Sequence, residues 1–104
     1  EKLCNYVEMQ VSSCYASRGV ISVNLVHGHD KLQTYIMSKI KMSDGSEKIS
    51  KVEGLINQGV VEIPAASDYF SGNGTAVSAD VVFGLVKDGQ AYDCTNTLRT
   101  IPCG

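Results

Sequence analysis

The two histidines of this chain, His27 and His29, form a His-x-His pair. On an extended strand this spacing points both imidazoles to one face, where they could bind a metal ion with Asp30 as a third ligand. Metal sites need three or four ligands and supporting outer contacts. The alternative is a strand end at which His29 or Asp30 caps a following helix. We favour the alternative and predict neither a metal site nor a cofactor.

Four cysteines lie near the two ends of the chain, as Cys4, Cys14, Cys94 and Cys103. An even number of cysteines in a short chain is typical of a disulfide framework, which persists in oxidising compartments. The Cys-x-x-Cys spacing of many zinc sites is absent from the sequence. Each bridge between the two ends would stabilise the fold by roughly 3–5 kcal/mol in the chain-entropy model. We therefore expect a secreted protein, with three pairings open at this point.

Residues 67–78 are rich in Gly, Asn and Ser and predict a loop. Tyr69 and Phe70 within it are candidate binding residues, because aromatic side chains are enriched in interface hot spots. They could equally fold back and anchor the loop. Asn73 begins an Asn-Gly-Thr acceptor for N-glycosylation, which is compatible with secretion.

The composition limits the classes of partner. The chain has 104 residues, of which 43% are apolar, and this predicts one globular domain spanning residues 1–104. A net charge of −2 lacks the basic surface typical of nucleic-acid binding, so RNA is only a weakly supported partner. No apolar run is long enough to span a bilayer, and we expect no membrane partner.

Residues 31–42 fit two templates. Helical spacing gathers four side chains on one face: Leu32, Tyr35, Ile36 and Ile40. Strand alternation gathers only three, with hydroxyl residues between them: Ile36, Ile40 and Met42, with Thr34 and Ser38. Because Asp30 also offers an N-cap and Gly45 follows the segment, we predict a helix over 31–42.

The other periodic segments predict antiparallel strands. They cover residues 20–26, 47–55, 60–63, 80–86, 91–95 and 98–101, with a hairpin turn at 87–90. One helix packed on a central antiparallel sheet is an α+β fold, and we predict that class.

Three short segments follow one another in the second half: Val61-Glu62-Ile63-Pro64, Asp68-Tyr69-Phe70-Ser71-Gly72 and Ala79-Asp80-Val81-Val82-Phe83. In the same order they resemble the aromatic-Glu-aromatic-Pro strand, the Val-Tyr-Ser-Gly-Gly loop and the Ala-Asp-Arg-Val-Val-Phe strand of the fungal guanyl-specific ribonucleases. The resemblance implies an N-terminal hairpin, one helix and a central sheet. It also implies a bridge from the N-terminal segment to the last residues, hence Cys4–Cys103 with Cys14–Cys94.

Most of the catalytic residues implied by this resemblance are missing. The glutamate of the family falls on Glu62, but its two histidines have no counterpart, and Val81 stands where its arginine would follow Asp80. Loss of a general acid alone lowers a rate by roughly 10²–10⁴-fold. We predict a protein without a catalytic site, in which Glu62 is a vestigial candidate.

Secreted proteins of this kind resemble the ribonuclease-like effectors of plant-pathogenic fungi. The resemblance implies a non-catalytic virulence protein, delivered outside or into the host cell, that binds a host plant protein and can be recognised by a plant immune receptor. The alternatives are an active secreted ribonuclease or ribotoxin, and a fungal toxin of another α+β family. We expect a monomer.

Overall fold

The computed structural model describes residues 4–28, 31–54, 58–71 and 74–104. Over these residues the chain forms two antiparallel sheets and contains no helix, hence none that could cross a membrane. The strands are β1 (Glu8–Tyr15), β2 (Val20–His27), β3 (Gln33–Met42), β4 (Glu47–Gly54), β5 (Gly59–Ile63), β6 (Ala76–Lys87) and β7 (Gln90–Pro102). The three-stranded sheet has the order β1-β2-β5, and the four-stranded sheet has the order β4-β3-β6-β7.

The core lies between the inner faces of the two sheets. Ile21 and Leu25 of β2 supply it from one side, and Ile36 of β3 and Phe83 of β6 supply it from the other, all fully buried. Successive side chains of a strand point to opposite faces, so alternate residues of these strands face either the core or the solvent. The arrangement is a β-sandwich.

The helix predicted over residues 31–42 is wrong. The segment forms β3, which pairs with β4 on one side and with β6 on the other. Two hydroxyl residues lie on its core face, where Thr34 Oγ1 donates to the Gly54 carbonyl at 2.5 Å and Ser38 Oγ donates to the Ser50 carbonyl at 3.5 Å. These hydrogen bonds satisfy the buried hydroxyls, and the polar residues therefore do not prevent a central strand.

The α+β fold class is accordingly wrong as well. The described residues are organised entirely by strand pairing, and the ribonuclease-like packing of one helix on a sheet has no counterpart in them. The predicted strands over 20–26, 60–63 and 80–86 are confirmed, as parts of β2, β5 and β6. The segments predicted as two strands, 91–95 and 98–101, form one interrupted strand, β7.

The disulfides join Cys4 to Cys94 and Cys14 to Cys103, so the pairing implied by the ribonuclease resemblance is also wrong. The reason is the relative direction of the terminal strands. The N–H of Ala16 donates to the Gly104 carbonyl at 3.2 Å, and the N–H of Gly104 donates to the Cys14 carbonyl at 3.1 Å, which is a parallel bridge. Because the N-terminal and C-terminal segments run parallel, the first cysteine of one lies beside the first cysteine of the other, Cys4 beside Cys94, and the second cysteines pair likewise.

Candidate binding site on the outer face of the four-stranded sheet

The regular pairing of β7 with β6 is interrupted near its middle. Two register pairs flank the interruption, Val81 with Arg99 and Phe83 with Cys94. Residues 95–98 of β7 therefore lie opposite Val82 alone. A bulge of this kind bends a strand and redirects its side chains, and bulges are frequent beside functional sites.

Thr97 holds the bulge in place from the inside. Its side chain is buried, and its hydroxyl accepts a hydrogen bond from the Phe83 N–H at 3.0 Å and donates one to the Cys94 carbonyl at 2.6 Å. The hydroxyl thus occupies the place of a ladder hydrogen bond between β6 and β7. With Thr97 turned inward, the neighbouring residues of the bulge are carried to the outer face.

A cavity of about 240 Å³ lies on this outer face, between β3, β6 and the bulge. Val82 is only 7% exposed, although its side chain points away from the core, because the side chains around the cavity cover it. The cavity combines an apolar part with a charged part. It is lined by Met37, Val82 and Leu98 and by Lys39, Asp80, Asp93 and Thr95.

The charged part of the cavity carries two carboxylates and one ammonium group. Lys39 and Asp80 are direct cross-strand partners, so their charges offset each other across β3 and β6. The hydroxyl of Thr100 donates to Asp80 Oδ1 at 2.7 Å and orients that carboxylate. Asp93 adds the second carboxylate, which leaves the cavity with an excess of negative charge.

Tyr35 fixes the position of Asp93 across three strands. The Tyr35 ring lies over Gly84 of β6, where an added Cβ would stand 2.0 Å from the ring carbon Cζ. Its hydroxyl then reaches β7 and donates to Asp93 Oδ1 at 2.5 Å. Burial raises the pKa of Tyr35 far above its ordinary value, and the hydrogen bond to Asp93 and the charge of that carboxylate raise it further. The hydroxyl therefore remains a donor throughout the neutral range.

A second, smaller cavity of about 110 Å³ adjoins the first. It shares Asp93 and Thr95 with the larger cavity and extends to Cys4, Asn5 and Asn96. The side-chain amide of Asn96 donates to the Cys4 carbonyl at 3.0 Å, which ties the N-terminal segment to the bulge. Together the two cavities form a groove along the outer side of β7.

The predicted site residues lie elsewhere. Glu62 is exposed on β5 of the other sheet, opposite Ser22, and shares no cavity wall with the carboxylates described above. Tyr69 is buried: its ring lies against Gly19, and its hydroxyl donates to the Ala16 carbonyl. It is therefore a loop anchor, the alternative considered from the sequence. Phe70 is 71% exposed and contacts the Tyr69 ring edge-to-face at 4.9 Å.

The remaining predicted positions can be placed only in part. His27 is exposed at the end of β2, opposite Glu8 of β1, whereas His29 and Asp30 lie outside the described residues. The glycosylation acceptor Asn73 also lies outside them. In the part of the chain that the structure describes, no three His, Cys, Asp or Glu side chains are close enough to bind a metal ion.

Sequence reasoning missed the cavity for an identifiable reason. The predicted helix over 31–42 includes Met37 and Lys39, although their alternation with Ile36, Ser38 and Ile40 carries the signal of the outer face of a strand. The bulge itself has no equally clear signal, since a Thr at position 97 acquires its role only through its contacts. No protein-family model, curated protein or solved structure matches this chain.

Proposed function

We propose that this protein is a secreted, non-catalytic binding protein that recognises a protein partner through the outer face of its four-stranded sheet. The observation that carries the proposal is the cavity over Val82, which joins an apolar wall to two carboxylates. At about 240 Å³ it lies below the range of roughly 300–1,000 Å³ for pockets that hold drug-sized ligands. A volume of this size suits a single long side chain.

The chemistry of the cavity favours a lysine or arginine side chain of the partner. The methylene stem of such a residue would lie along Met37, Val82 and Leu98, and long cationic side chains commonly bury their stems in this way. Its charged end would meet Asp93, and hydrogen bonds between ionised groups are stronger than neutral ones. Tyr35 holds the Asp93 carboxylate in position before binding, which lowers the cost of ordering it.

A secreted binding role is also supported by the two disulfides, which are compatible with an oxidising compartment. The more specific prediction, a fungal effector with a plant protein as its partner, came from the ribonuclease resemblance. The α+β fold that this resemblance implied is wrong, and the effector role itself stays a prediction. The active ribonuclease likewise stays a prediction. The toxin of another α+β family keeps only its role as a prediction, because that fold class is wrong.

Titration of isotope-labelled protein with N-acetyl-arginine amide, followed by NMR, tests the binding site. We expect saturable shifts confined to the amides around Met37, Val82 and Leu98, and weaker binding by roughly tenfold or more for Asp93→Asn, since a charge-assisted hydrogen bond is lost. The matched control is Glu62→Gln, which removes a carboxylate from the other sheet and should leave binding unchanged. Equal shifts with the uncharged N-acetyl-norleucine amide would contradict the proposal.

An RNA-cleavage assay on the purified protein tests the absence of catalysis separately. We expect no cleavage above the buffer blank for the wild-type protein or for Glu62→Gln. Turnover that disappears in Glu62→Gln would show that the protein is a ribonuclease, whatever the result of the titration.

A further inference from the structure

β4 forms an outer edge of the four-stranded sheet. Its eight residues pair with β3 in one continuous register without a shift. Among the described residues, the main-chain hydrogen bonds of β4 go to β3 alone. A regular edge strand of this length presents a row of N–H and C=O groups on which another strand can pair.

The two faces of β4 differ in how they are occupied. On the inner face, Ser50 Oγ donates to the Pro64 carbonyl at 2.7 Å, and Lys48 Nζ lies 3.4 Å from Asp68 Oδ2, which closes the sandwich beneath the strand. On the outer face, the alternate residues are exposed to solvent: Glu47, Ile49, Lys51 and Glu53. Ile49 is 58% exposed in the middle of this row.

Charged residues on an edge strand usually prevent pairing with other chains. Here they discriminate between registers. Two copies of β4 can pair antiparallel with their outer faces on the same side of the joined sheet. The two-fold axis then passes between the two copies of one residue, and we name each register by that residue. An axis at Ser50 places Glu47 opposite Glu53 twice, and an axis at Lys51 places two lysines opposite each other; like charges in these positions are destabilising.

An axis at Ile49 gives a different result. Glu47 of each copy then lies opposite Lys51 of the other, and the two Ile49 side chains pack on each other at the centre. Among the registers with the axis at residues 49 to 52, those at Ile49 and Val52 pair opposite charges on the outer face, the second through Lys51 and Glu53. Only the register at Ile49 also packs the exposed isoleucine against its own copy. The pattern is self-complementary, as the isologous interface of a two-fold dimer requires.

We propose that two copies of this chain associate through antiparallel pairing of their β4 strands, with Ile49 on the two-fold axis and Glu47 of each copy opposite Lys51 of the other. The association departs from the monomer expected from the sequence. It joins two four-stranded sheets into one continuous sheet. Because the axis is perpendicular to the sheet, the two outer-face cavities come to lie on the same side of the dimer.

Charge reversal tests the proposal by sedimentation equilibrium over a series of protein concentrations. We expect Glu47→Lys and Lys51→Glu each to raise the dimer dissociation constant by about tenfold or more, because each creates two like-charge pairs. The combined variant restores opposite charges between the copies and should return the constant to near the wild-type value. Any effect on the fold of one copy would add in the combined variant, so the recovery distinguishes pairing from simple destabilisation.

The matched control is Glu62→Lys, a reversal of the same sign on exposed β5, which should leave the dissociation constant unchanged. A second measurement uses Ile49→Cys, which should form an intermolecular disulfide across the axis much faster than Val60→Cys on the other sheet. A wild-type protein that is monomeric at every concentration would overturn the proposal. It would also be overturned by a dimer that neither single reversal weakens, or by equal crosslinking of the two cysteine variants.

Discussion

The two long edges of the sandwich are held together in different ways. At the β1/β7 edge, two disulfides and two main-chain hydrogen bonds join the sheets. At the β4/β5 edge, the polar side-chain contacts seen among the described residues are a hydrogen bond from Ser50 to the Pro64 carbonyl and an ion pair of Lys48 with Asp68. The chain therefore concentrates its covalent restraint on one edge and leaves the other accessible.

The order of the strands along the chain accounts for this difference. β1 and β7 are the first and last strands of the sandwich, so each is connected to a neighbouring strand of the sandwich on one side only. β4 lies in the interior of the sequence, between β3 and β5, so the chain on both sides already restrains it. The edge that would open most easily is thus the one that carries the disulfides, and the edge that needs no covalent bond is free to meet a partner.

Removal of a disulfide is the largest perturbation of the restrained edge. Cys14→Ala with Cys103→Ala should lower the free energy of unfolding by roughly 3 kcal/mol, because the unfolded chain, still crosslinked by the other bridge, regains the entropy of a loop of roughly 20 residues. Urea unfolding of the purified variant measures the loss. The control is the other pair, Cys4→Ala with Cys94→Ala, which should lose a similar amount, since removal of either bridge opens the same short loop between the two bridges. A negligible loss for either pair would show that the edge does not depend on its covalent bonds.

On the outer face, the hydrogen bond from Tyr35 of β3 to Asp93 holds the edge strand β7 against its sheet. This contact predicts a loss of stability at alkaline pH. The pKa of Tyr35 is raised in the folded protein, so the unfolded chain releases this proton first and binds fewer protons above the ordinary tyrosine range. Stability is therefore complete below about pH 10 and falls above it, by at most about 1.4 kcal/mol per pH unit for this group.

Unfolding free energies of the wild-type protein and of Tyr35→Phe at neutral and alkaline pH measure this contribution. The variant should be less stable at neutral pH, because the hydrogen bond to Asp93 is absent, and its stability should decline less steeply as the pH rises. Burial also raises the pKa of Tyr69, so a residual slope is expected in the variant. Identical slopes in the two proteins would show that Tyr35 does not carry the effect.

The sequence predicted the strands of this fold better than it predicted the positions of their side chains. Runs of β-branched residues at 20–26 and 80–86 identified β2 and β6, because this composition suits buried strands. The segment 31–42 failed because Thr34 and Ser38 interrupt the apolar face of β3. Their hydroxyls form hydrogen bonds with carbonyls of β4, a compensation that depends on pairing with the next strand and is not visible within the segment itself.

The disulfide pairing and the cavity were beyond the sequence for a related reason. Four cysteines permit three pairings, and the choice depends on β1 and β7 running parallel across the sandwich edge. The cavity depends on the bulge at residues 95–98 and on the inward turn of Thr97. Short motifs such as Val61-Glu62-Ile63-Pro64 identified real strand residues, but they do not specify how strands and helices pack.

The smallest expected effect concerns the accessible edge. Ser50→Ala should lower the free energy of unfolding by about 0.5–1.5 kcal/mol, because one hydrogen bond to the Pro64 carbonyl is lost. Lys48→Met should cost less, since Asp68 is exposed and an ion pair with an exposed partner contributes little. Urea unfolding measures both, and added salt should reduce the Lys48→Met difference while leaving that of Ser50→Ala nearly unchanged. If either variant lowered the free energy of unfolding as much as removal of a disulfide does, both edges would be restrained equally. β4 would then no longer be the more accessible edge.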